Sequence, residues 1–84
     1  MVEKLDDWRR EIDSVDNEMM KLLVKRFEIT KKIRIYKKMN NLPVMNKERE
    51  DSIIQEKTGS SGLPRQFIKD LYKIIFEESR RVQR

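Results

Sequence analysis

The sequence has no cysteine and no histidine. Without cysteine there can be no disulfide and no thiolate metal ligand. Without histidine, zinc-protease motifs, Ser-His-Asp triads and imidazole general bases are excluded. No apolar run approaches the roughly 20 residues of a membrane span, and the N-terminus lacks a signal-peptide apolar block. The expected setting is therefore the cytoplasm, with no membrane partner. Alanine is absent too, which is unusual for a helical chain because alanine is the best helix former; we attach no functional weight to it. Glycine and proline number two each. Gly59, Gly62 and Pro64 cluster, Pro43 stands alone, and everything else is compatible with helix.

What the sequence does have is charge. Of 84 residues, 42% are charged and 37% hydrophobic, and 20 Lys+Arg against 15 Asp+Glu give a formal net charge of +5. Residues 1–84 read as one domain with a thin core, the kind of chain that needs a partner. Leu5, Trp8, Ile12, Val15, Met19, Leu22, Ile29, Ile33 and Tyr36 recur at alternating spacings of three and four, the seam of a long helix over about 3–39. Such a helix is over ~50 Å long and must lie against other helices. Asn40, Asn41 and Pro43 end it. Asn46 is positioned to cap a short second helix over about 47–57. Thr58-Gly59-Ser60-Ser61-Gly62 reads as a loop. Pro64 suits the first turn of a third helix over about 64–83, carrying Phe67, Ile68, Leu71, Tyr72, Ile75 and Phe76. The fold class is all-α: long, short and medium helices.

Polar residues interrupt the apolar pattern at informative places. One step of four beyond Leu22 the seam meets Arg26, where a guanidinium snorkels, pairs with a carboxylate, or binds an anion. Lys37 follows at nearly three whole turns, so both side chains point the same way, roughly 16 Å apart along the axis; alone it also reads as a solvated charge. Ser79 and Gln83 extend the stripe of Ile68, Tyr72 and Ile75, either as hydrogen bonders in a pocket or as the polar end of a helix. Asn46, Arg49 and Glu50 open the second helix, either as an anion-binding N-terminus or as exposed pairs of little energetic value. Arg9 lies ~25 Å along the helix from Arg26. Arginines 9 and 26 of one chain cannot grip one small molecule, whereas those of two antiparallel long helices can.

Five segments in this order resemble the all-helical chorismate mutases of bacteria and archaea: Trp8-Arg9-Arg10-Glu11-Ile12-Asp13-Ser14-Val15-Asp16; Leu22 to Arg26; Ile33 to Lys37; Pro43 to Glu50; and Ile75-Phe76-Glu77-Glu78-Ser79. The likeness covers nearly the whole chain. It implies an intertwined helical homodimer with two sites and no cofactor or metal. The reaction implied is the [3,3] rearrangement of chorismate to prephenate, on the route to phenylalanine and tyrosine. By this resemblance Arg9 is donated across the dimer to a substrate carboxylate, and Arg26 binds a carboxylate in its own chain. Lys37 and Gln83 contact the ether oxygen, and Glu50 accepts from the ring hydroxyl. Arg49 and Ser79 support them. Asn46 stands where members often have Asp, at a contact made largely through the backbone. The loop before the third helix is shorter than in some relatives.

Three rival readings set limits on this one. An isochorismate-pyruvate lyase uses the same scaffold and cations, but such relatives tend to carry an apolar residue where this chain has Glu50. A basic nucleic-acid-binding module would use the excess charge and the Arg80-Arg81 tail; here, however, the cations interleave with acids and no recognition motif is present, so no nucleic acid is expected. A plain helical dimerisation module explains the seam but not the joint presence of Arg26, Lys37, Glu50, Ser79 and Gln83.

Overall fold

Three helices account for almost the whole chain: α1 (Val2–Met39), α2 (Lys47–Ser61) and α3 (Arg65–Gln83). The computed structural model describes residues 2–83, and of Val2 and Gln83 the backbone alone. There is no strand among the described residues. At ~1.5 Å per residue, the 38 residues of α1 set the long dimension of a molecule measuring 59 × 24 × 17 Å.

The helix ends follow from local chemistry. Asn41 takes a left-handed φ of 54°, which asparagine tolerates better than most residues. This lets the Leu42 N–H reach back to the Lys37 carbonyl at 2.8 Å and the Asn41 N–H to that of Lys38 at 3.5 Å, the paired bonds of a Schellman ending. Asn46 is extended and its Oδ1 accepts the Arg49 N–H at 3.0 Å, so it caps α2 as its residue type predicts. The third helix begins beyond Pro64, whose carbonyl accepts the Ile68 N–H at 3.1 Å.

The expected end of α2 at residue 57 requires correction. The helix runs on through Thr58 and Gly59 to Ser61, and only Gly62, at φ 74°, leaves it. The Thr58 hydroxyl is occupied inside the helix, donating to the Ile54 carbonyl at 2.7 Å. A glycine within a helix costs only about 1 kcal/mol relative to alanine, too little to stop a helix whose hydrogen bonds are otherwise satisfied.

α3 packs against both α1 and α2, while α1 and α2 make no packing contact with each other among the described residues. The buried apolar core is Ile53, Ile68 and Phe76, with Thr30 and Ser79 beside them. Apart from Asp6, the covered side chains of α1 fall between Leu23 and Lys37. The expectation that the α1 seam lies against other helices along its length is therefore not met within one chain. Leu5, Trp8, Ile12, Val15, Met19 and Leu22 are each 45–65% exposed. The reason is length: a helix of 19 residues is only about half as long as α1.

The two glycines give opposite expectations for one substitution. Nothing lies within 4 Å of a Cβ at either position, so the backbone decides. Gly59→Ala, inside the helix, raises stability by about 0.5–1 kcal/mol. Gly62→Ala, held at positive φ, lowers it by about 1–2 kcal/mol. Urea midpoints check both signs, and a destabilised Gly59→Ala would return residues 58–61 to a loop.

Candidate functional site

The gap between α1 and α2 forms a cleft of about 280 Å³, floored by α3. From α1 come Arg26, Ile29, Thr30, Ile33 and Lys37; the connecting segment adds Val44 and Asn46. The second helix adds Arg49, Glu50 and Ile53, and the third Phe76, Ser79 and Arg80. Isoleucine, valine and phenylalanine thus make the apolar wall, while four cations and one carboxylate converge on the space, a local balance of 4 − 1 = +3. This is chemistry for a small anion with an apolar body.

Arg26 lies across the Phe76 ring, its guanidinium carbon 5.9 Å from the centroid. Its Nη1 donates to the Ser79 hydroxyl at 3.1 Å, and that hydroxyl donates to the Ile75 carbonyl at 2.8 Å. No carboxylate pairs with Arg26 among the described residues. A half-buried guanidinium held by a ring and a hydroxyl keeps its charge available to an anion. Lys37 is half-buried, and its Nζ donates to the Val44 carbonyl at 2.7 Å, which ties the connecting segment to the end of α1. Glu50 accepts from Arg80 Nη1 at 2.7 Å, with 19% and 26% of the two side chains exposed.

Of the residues singled out in the sequence, Arg26, Lys37, Asn46, Arg49, Glu50 and Ser79 line this cleft. The side chain of Gln83 lies outside the described residues. Arg9 is elsewhere: it is exposed on α1, 4.0 Å from Asp6. Sequence reasoning missed Thr30 and Arg80. Thr30 is buried and donates to the Arg26 carbonyl at 3.0 Å; its signal was its place one step of four after Arg26. Arg80 read as part of a basic tail, although it follows Phe76 by four and so shares its face.

Comparison with known proteins gives concordant matches. The profile of the family described as chorismate mutase type II matches residues 8–84. A T-protein of Haemophilus influenzae is 32% identical over 81 residues, covering 93% of this chain and 22% of its own length. A chorismate mutase of Methanocaldococcus jannaschii is 36% identical over 53 residues, covering 63% of this chain and 54% of its own. A bifunctional chorismate mutase/prephenate dehydratase of Aquifex aeolicus is 38% identical over 55 residues, 66% of this chain and 15% of its own. The chain thus spans about a fifth of that T-protein and about half of the M. jannaschii protein. No solved structure matches it significantly.

Behind the Glu50–Arg80 pair a second cleft of about 240 Å³ opens between α2 and α3. At its edge Lys47 Nζ donates to Asp51 at 2.9 Å. That hydrogen bond, then the carboxylate's charge, holds the Lys47 ammonium above its ordinary pKa of 10.5. Because the folded value is raised, the pair's contribution is present in full below 10.5 and disappears as pH climbs through the folded value. Following the Lys47 side-chain resonances by NMR as pH rises should show late deprotonation, restored to the ordinary value in Asp51→Asn. An equal midpoint in the two proteins would dissolve the pair.

Proposed function

The chain belongs to the chorismate mutase type II family, and on that premise we propose that it converts chorismate to prephenate in the cleft between α1 and α2. The observation that carries the proposal is the convergence of Arg26, Lys37, Arg49 and Glu50 on one partly enclosed space with an apolar wall. Its volume of about 280 Å³ sits at the lower edge of the roughly 300–1,000 Å³ usual for small-ligand sites, which suits a compact molecule.

Chorismate is a dianion carrying an enol-pyruvyl ether on a cyclohexadiene ring. Its rearrangement breaks one C–O bond and forms one C–C bond in a cyclic electron shift, with no nucleophile and no proton transfer. The enzyme's task is to fold the two arms together and to meet charge building on the ether oxygen as the C–O bond stretches. Arg26, steadied by Phe76 and Ser79, binds a carboxylate as a planar fork. Lys37 supplies a fixed ammonium to the ether oxygen, with the Gln83 amide as its companion. Glu50 accepts the ring hydroxyl, Arg49 and Ser79 support these contacts, and Asn46 contributes through the backbone. An acceleration of about 10⁶ requires about 8 kcal/mol, within reach of two or three preorganised donors plus orientation.

The second carboxylate goes to Arg9 of another copy. In one chain Arg9 is ~25 Å along the helix from Arg26, and six apolar residues of the α1 seam from Leu5 to Leu22 stand largely uncovered. Exposed apolar stripes of this extent mark interfaces. The working form is accordingly an intertwined homodimer of paired long helices. No described helix is long and apolar enough to cross a membrane; a cytoplasmic role in aromatic amino-acid biosynthesis is part of the proposal and rests on the family alone.

Loss of chorismate absorbance with purified protein tests the activity, and pyruvate release from isochorismate without prephenate formation would assign the lyase instead. Lys37→Ala should lower kcat by about 10²–10³-fold; a near-wild-type rate removes Lys37 from the chemistry. Arg9→Ala and Arg26→Ala should each be inactive. Mixed under subunit exchange they should recover up to about a quarter of wild-type activity, from hybrid dimers with one intact site. No recovery despite proven exchange would refute the shared site.

A further inference from the structure

Arg80 is a cleft residue for which neither the sequence reading nor the proposed chemistry has a task. Its Nη1 holds Oε2 of Glu50 at 2.7 Å. This pair links α3 to α2, whereas the other ion pairs among the described residues lie within single helices. About four-fifths of the Glu50 side chain and three-quarters of the Arg80 side chain are removed from solvent. Oε1 of Glu50 accepts no hydrogen bond among the described residues. The pair also stands as a wall: both side chains line the main cleft on one side and the smaller α2–α3 cleft on the other.

These facts combine in one way. A carboxylate facing a dianionic ligand is repelled by it, and a half-buried carboxylate without a counter-charge is costly. Arg80 removes both problems while occupying one carboxylate oxygen and leaving the other for a hydroxyl. We propose that Arg80 is a positioning residue. By gripping Oε2 it fixes Oε1 toward the cleft, and so makes the site selective for a ligand whose ring carries a hydroxyl donor. The inference deepens the proposed function and rests on it. Arg80 itself needs no contact with the ligand.

The test compares kcat/KM for chorismate with that for its analogue bearing hydrogen in place of the ring hydroxyl, which retains every bond that breaks or forms. Arg80→Met keeps the apolar stem and removes the charge. It should shrink the preference for chorismate over the analogue by about 10- to 100-fold, the range for hydrogen bonds to charged groups. Arg80→Lys should restore most of that preference. In a Glu50→Ala background the same Arg80→Met change should leave the preference unmoved, because the pair acts as a unit. Equal losses on both compounds would make Arg80 merely structural. A continued effect in the Glu50→Ala background would mean that it touches the ligand itself. Either result overturns the inference. A wild-type protein that turns over neither compound would fail the functional reading first, and this inference with it.

Discussion

Four cations facing one carboxylate across a space of about 280 Å³ repel one another, and the fold must hold them in place against that repulsion. Arg80 is held by the Glu50 carboxylate itself. Arg26 lies on Phe76 and Ser79, and the Lys37 ammonium reaches the Val44 carbonyl; at Arg49 it is the backbone N–H that Asn46 holds, at the start of α2. The residual positive charge is a local stability cost of the kind that binding sites carry. A bound anion offsets it, and ligand binding and folding stability are linked through that term.

The architecture supplies the gap in which this happens. Had α1 and α2 packed together, their facing side chains would have filled the space. Instead α3 takes both contacts, and the buried apolar residues Ile53, Ile68 and Phe76 sit on α2 and α3. The same division leaves the N-terminal half of α1 without cover in its own chain. Three buried apolar residues among those described make a small core for 84 residues, as in chains that rely on a partner.

Much of this was legible beforehand. Asn41, Pro43, Asn46 and Pro64 mark helix ends through backbone chemistry that acts over three or four residues, so they can be read without tertiary structure. The course of α2 beyond residue 57 was not legible, because glycine and serine propensities favour a loop there by less than the helix gains from continued hydrogen bonding. Arg26 and Ser79 interrupt apolar stripes and Lys37 points the same way as Arg26, yet each alone also reads as an ordinary polar residue; only the fold brings them to one cleft. Arg80 gave no such sign: its position acquires meaning only once α2 lies against α3 and brings Glu50, 30 residues away in sequence, to its guanidinium.

Lys37 draws together the end of α1 and the segment beyond it. Its carbonyl closes the helix by accepting from Leu42, and its ammonium holds Val44. An ammonium carries three protons on a freely turning nitrogen, so a bond to that carbonyl does not exhaust what Lys37 can hold. One residue thus stitches the rim of the cleft at two levels, backbone and side chain, and a substitution there disturbs only the second.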